Sequence, residues 1–88
     1  MQAVSTGAAI TEIIEAYQAL GRGWVRIADI AKQTDLGRDE IAEAITELMN
    51  DDNFCAEPEP FGHRLTEWDR WFAPVIGGEA RHLIRWGE

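Results

Sequence analysis

Residues 24–50, WVRIADIAKQTDLGRDEIAEAITELMN, read as two short amphipathic helices joined by a tight turn, and the rest of the chain is most simply explained as packing around that pair. In the first helix Ile27, Ile30 and Ala31 recur at i, i+3 and i+4, so one stripe faces a core while Asp29, Lys32 and Gln33 face water. The segment Thr34 to Gly37 then breaks the helical run with polar turn formers. It leaves Leu36 as a buried plug and ends on Gly37, which can accept unusual φ angles and is a tolerable N-cap for the next helix. From Arg38 to Asn50 the helical period resumes with Ile41, Ala42, Ile45, Leu48 and Met49 inward, while Asp39 and Glu40 in the first turn complement the helix dipole.

Upstream, residues 1–5 show no period. Ser5 or Thr6 can cap a helix whose inward positions are Ile10, Ile13, Ile14, Tyr17 and Leu20, and Gly21 is its stop signal. After a turn at residues 21–23, Trp24, Val25 and Arg26 favour a very short strand, with Trp24 expected in the core. Downstream, Phe54 to Glu57 reads as a strand and Pro58 to Gly62 as a loop whose two prolines forbid a central strand. His63 to Leu65 reads as the returning strand of a hairpin. Thr66 and Asp69 stand as T-x-x-D, a capping-box start for a helix holding Trp68, Trp71 and Phe72 until Pro74 interrupts it. Gly77 and Gly78 mark a turn. Residues 80–86 suit a strand or a helical extension, and a strand is preferred.

This order of helix, short strand, helix, turn, helix, strand, loop, strand resembles the winged helix-turn-helix superfamily over about residues 8–66. The resemblance implies an α+β, mostly helical fold: a three-helix core with a β-hairpin wing, followed by a C-terminal helix and tail at residues 67–88, all in one domain. It further implies that the helix from Arg38 to Asn50 is the one offered to a DNA major groove, with Pro58 to Gly62 as the wing.

Composition bounds the rest. Eighty-eight residues, 45% of them hydrophobic, suffice for one domain with a modest core. The single Cys55 has no partner for an internal disulfide, which fits a reducing, cytoplasmic setting, and as a lone strand cysteine it is expected to be a small core residue. The N-terminus lacks a basic flank and carries Glu12 and Glu15. No run of about 18 apolar residues occurs, so neither a secretory leader nor a membrane span is expected. His63, His82, Cys55 and Glu57 lack metal-ligand spacing, and no nucleophile–base or phosphate-loop pattern is present. A non-catalytic protein with no cofactor, metal or small-molecule substrate is therefore expected.

Sixteen acidic against eight basic residues give a net charge of −8. At about 100° per residue, Asp39, Glu43, Glu47 and Asn50 lie opposite the Ile41–Ile45–Leu48 stripe, with Thr46 beside them. The surface a winged helix would offer to DNA is therefore a row of carboxylates, unfavourable against phosphates and better suited to a protein partner. The preferred reading is a regulatory or adaptor module using that face, with Trp68 and Trp71 either covering the domain's own core or contributing to a protein or homodimer interface. Two alternatives stand beside it. One is a DNA-binding regulator contacting backbone through Arg26, Lys32, Arg38 and Arg64; the other is a DNA mimic presenting carboxylates to a basic protein. Arg81, His82 and Arg85 form a local basic stretch, read as a solvated tail.

Overall fold

The structure is a computed structural model that describes residues 6–21 and 23–87, so the expected cap at Ser5 and the charge at Arg22 lie outside the described residues. It is an α+β fold with the order α1 (Thr6–Leu20), β1 (Val25–Arg26), α2 (Ile27–Gln33), α3 (Arg38–Leu48), β2 (Phe54–Glu57), α4 (Glu67–Phe72), β3 (Val75–Ile76), β4 (Glu79–Ala80) and β5 (Leu83–Trp86). A single 3₁₀ turn at Gly62–Arg64 precedes α4.

In α1, Ala9, Ile13, Ala16 and Tyr17 form the buried stripe, and Ile10 and Ile14 flank it half-buried. Leu20, expected inside, is exposed, because the helix has run past the core by its last turn. The helix stops at Gly21, whose φ of 124° is open to a residue without Cβ and whose amide still reaches the Tyr17 carbonyl. Ile27, Ile30 and Ala31 of α2, the Leu36 plug, and Ile41, Ala44, Ile45 and Leu48 of α3 complete the helical core. Ala44 takes the fully buried place expected of Ala42, which is only half-buried. Gly37 is the N-cap of α3 as expected, but with an ordinary extended backbone (φ −81°). Its amide donates to Glu40 Oε1 at 2.8 Å, so the cap uses that carboxylate and not glycine's conformational freedom.

The sheet departs from the expected hairpin. His63 to Leu65, expected to be the returning strand, instead lie in and just after the 3₁₀ turn, which is held by Arg64 N–H to Phe61 O and Leu65 N–H to Gly62 O. The strand that pairs with β2 is β5, antiparallel, with Phe54 opposite Trp86 and Ala56 opposite Ile84. Strand β1 pairs with its other edge, Val25 opposite Ile84, giving the order β1-β5-β2. The physical reason is burial. His63 and Arg64 have nothing to put inside, whereas Ile84 is fully buried and Trp86 packs edge-on against Phe54 and Tyr17. The Tyr17 hydroxyl donates to Gly23 O (2.8 Å) and accepts from Trp86 N–H (3.2 Å), tying α1 to the approach of β1 and to β5.

The C-terminal helix begins as expected, with Thr66 Oγ1 accepting from Asp69 N–H and Asp69 Oδ2 accepting from Thr66 N–H. Beyond it Gly77 and Gly78, both at positive φ, make the two-residue turn joining β3 to β4.

Candidate functional site

Two surfaces and one buried polar node bear on function. The first surface is the outer face of α3. Asp39, Glu43, Glu47 and Asn50 are all exposed, and Thr46 is exposed with its hydroxyl donating to Ala42 O at 2.8 Å. Among the described residues no Lys or Arg nitrogen lies within 4.0 Å of Asp39, Glu43 or Glu47. Trp68 and Trp71 project from α4, 46% and 57% exposed, so they do not cover the core as Phe72 does. Trp68 is pinned by its indole N–H to Ala28 O (3.3 Å), and Arg38 of α3 sits 4.7 Å over the Trp71 ring.

The node joins β1, α4 and the loop after β2. Arg26 Nη1 meets Asp69 Oδ2 at 2.9 Å and its Nη2 lies 3.5 Å from Glu59 Oε2. Both carboxylates are nearly enclosed, with side chains 5% and 8% exposed. Burial alone would raise the Asp69 pKa. The hydrogen bonds from the Thr66 backbone and hydroxyl, with the Arg26 guanidinium, outweigh it and hold the carboxyl below its ordinary range. His82, expected in a solvated tail, is buried beside this node, its Nδ1 accepting from Glu59 N–H at 3.1 Å. Burial depresses its pKa and the charges of Arg26 and Arg70 add to the effect, against the opposing pull of Asp69 and Glu59. Arg81 is tied down as well, donating to Ala56 O (2.8 Å) and Ile76 O (3.1 Å) and lying 3.6 Å from Glu57 and 3.5 Å from Glu79. Arg81 is thus a clasp between the β3–β4 hairpin and β2, satisfying a carbonyl on each.

Of the four residues read as alternative DNA contacts, Arg26 belongs to this node. Arg26, Lys32 and Arg64 do line one shallow depression, but Asp29 and Asp69 line it too, and Arg26 is already committed to carboxylates. Lys32 lies 3.9 Å from Asp29, Arg64 sits 4.8 Å over the Phe61 ring, and Arg38 stacks elsewhere on Trp71.

The second surface is one that sequence reasoning missed. Trp24, expected in the core, is 47% exposed, because Val25 takes the inward position and successive strand residues alternate. With Leu83, Pro58, Pro60, Phe61, Arg64, Glu57 and Glu59 it lines a groove of about 530 Å³ on the outward side of the sheet. Phe61 is 51% exposed, and Arg85 lies 6.0 Å over the Trp24 ring. The available signals were Trp24 one residue from an inward valine, and two prolines beside a phenylalanine in a loop too short to bury them.

Cys55 is also outward and exposed, directly opposite Arg85 of β5, contrary to its expected place in the core. Among the described residues no three His, Cys, Asp or Glu side chains are grouped to hold a metal ion, and no helix is long and apolar enough to cross a membrane. Compared with protein-family models, with curated proteins and with solved structures, the chain gives no match.

Proposed function

We propose that the chain is a non-catalytic winged-helix adaptor whose α3 face docks a protein. The observation that carries this reading is the row Asp39, Glu43 and Glu47, exposed and without a cationic neighbour among the described residues, on the helix a winged-helix protein would offer to DNA. The element order through β2 and the sheet order β1-β5-β2 support the winged-helix part, with residues 58–82 occupying the place of a simple wing. Three carboxylates side by side approach a phosphate backbone at a cost that no lysine row offsets, whereas a basic protein surface meets them favourably.

The test is selection of bound sequences from a random duplex pool, followed by a salt titration. Wild-type protein is expected to enrich no defined site. The double substitution Glu43→Lys with Glu47→Lys is expected to create non-specific affinity in which each new phosphate contact adds roughly −0.9 to the slope of log K against log salt. A defined site bound near 10 nM or tighter, about the affinity of specific regulators at physiological salt, overturns the reading in favour of a DNA-binding regulator. A nuclease-treated pull-down supplies the other arm: partners that survive nuclease and are lost with the double substitution support the α3 face.

A further inference from the structure

We infer that the groove between Trp24 and Phe61 is a second docking surface, taking a linear segment of a partner protein in which apolar side chains are flanked by carboxylates. The inference goes beyond the reading of α3 and does not depend on it.

The groove is preformed. Its loop is fixed by Glu59 N–H to His82 Nδ1 (3.1 Å), by Phe61 N–H to Glu59 Oε1 (3.1 Å), and by the Glu59 carboxylate against Arg26. Pro58 and Pro60 stiffen the rim, so little ordering entropy remains to be lost on binding. Its floor and walls are Trp24, Leu83, the two prolines and Phe61, an apolar strip with two aromatic rings each about half open to solvent. Rigid aromatic and proline surfaces of this kind accept extended peptide segments, whose side chains fill the strip while the backbone stays hydrated.

Charge decides which segment. The chain is acidic overall, yet each carboxylate lining this groove has an arginine beside it, while two further arginines at its rings have no carboxylate partner among the described residues. Glu59 is held by Arg26, and Glu57 lies 3.6 Å from Arg81. Arg64 and Arg85 have no acidic partner within 4.0 Å among the described residues, and each instead sits over an aromatic ring of the groove. A guanidinium resting on a ring keeps N–H groups free for a carboxylate and is already restrained, which favours acidic flanks over basic ones.

Two other occupants fit less well. Single-stranded nucleic acid would find two rings and two arginines, but prolines and a leucine in place of a continuous stacking row, within a molecule of net charge −8. A second copy could bring its acidic α3 face, but the outward positions there, Asp39, Glu43, Thr46 and Glu47, carry no large apolar side chain to fill the strip.

The test uses the full chain and an array of fluorescein-labelled hexapeptides with two central positions drawn from Leu, Phe and Trp, flanked by either Asp/Glu or Lys. Carboxylate-flanked peptides are expected to bind about tenfold or more tighter than their lysine-flanked counterparts. Arg64→Gln with Arg85→Gln, two surface changes that leave the core untouched, is expected to erase most of that preference. Trp24→Ala, checked for folding by its amide spectrum, is expected to abolish binding to both sets. Glu43→Lys with Glu47→Lys leaves peptide binding in place, so failure here and failure of the α3 reading are distinguishable. Equal affinity for both flanking charges, no binding by any peptide, preference for oligo(dT), or a concentration-dependent dimer lost with Trp24→Ala would each overturn the proposal.

Discussion

The outer face of α3 and the outward face of the sheet are made by the same small core, and they differ in what happens to their charges. On α3 Asp39, Glu43 and Glu47 stand in solvent with no Lys or Arg nitrogen within 4.0 Å among the described residues and no large apolar side chain between them. On the sheet side the exposed Glu57 lies near Arg81 and the enclosed Glu59 near Arg26, and solvent also meets an apolar strip with two arginines resting on its rings. A net charge of −8 therefore describes neither face. It is the pairing pattern set by the fold that determines which sign a partner meets.

The comparison is broken outright by removing its shared support. Deleting residues from Gly77 onward takes away β5, and with it Ile84 from the core, the only strand between β1 and β2, and the Trp86 contacts to Tyr17 and Phe54. The expected outcome is loss of the cooperative thermal transition by circular dichroism; a truncated chain that still melts cooperatively would show that α1–α3 stand without the sheet.

A smaller change separates the faces. Asp69→Ala removes the cap of α4 and the main partner of Arg26, and is expected to cost about 2 to 4 kcal/mol, less than a fully buried pair because Glu59 remains beside Arg26 and water can reach it. The Asp69 pKa is held below its ordinary value of 3.8, so the stability it contributes is present above that pH and is lost as pH falls through its lower folded value. The variant is expected to lack this acid limb in urea denaturation midpoints, and an unchanged acid limb would count against the node as an anchor.

His82 sharpens the contrast through pH alone. Its folded pKa is depressed, so as pH falls below the ordinary histidine value of 6.5 the unfolded chain takes up a proton before the folded one does, and stability declines. His82→Asn, which can keep an acceptor for Glu59 N–H without titrating, is expected to flatten that decline. Denaturation midpoints compared between about pH 7.5 and pH 5.5 check it.

The smallest effect is expected where α3 faces solvent. Glu43→Lys with Glu47→Lys removes no side-chain hydrogen bond or ion pair among the described residues and is expected to shift stability by no more than about 0.5 kcal/mol, whatever it does to binding. A larger loss in urea denaturation would mean that the acidic face serves the fold.

What the sequence made legible was local. The i, i+3, i+4 stripes of α2 and α3, the Leu36 plug and the T-x-x-D start of α4 each depend on residues a few positions apart, where period and cap chemistry are decisive. The exposed Asp39–Glu43–Glu47 row followed from the same period. Partner choice across the chain was not legible. Strand β2 had to choose between residues 63–65, next along the chain, and residues 83–86, and the deciding quantity was how much apolar side chain each could place against Tyr17 and Phe54. Arg26 faced sixteen possible acidic partners, and nothing local singled out Asp69 and Glu59. The groove was hidden by the same difficulty: Trp24 reads as a core residue until the register of Val25 against Ile84 is known.

The sheet order also fixes a sequence of events in time. Strands β1 and β2 touch only through β5, which lies later in the chain than either, so neither has a strand partner until residues 83–86 have been made and delivered. The helices can associate through nearer contacts, but the sheet must wait for the most distant ones, whose loop-closure entropy slows their formation. Until then both strands are open edges, and the nascent chain carries the hazard of pairing with a neighbour that the finished fold removes. Refolding followed by Trp86 fluorescence, with the other three tryptophans replaced by phenylalanine, is expected to show this closure as the slow step. A Trp86 signal complete before the helical circular dichroism signal would reverse the order.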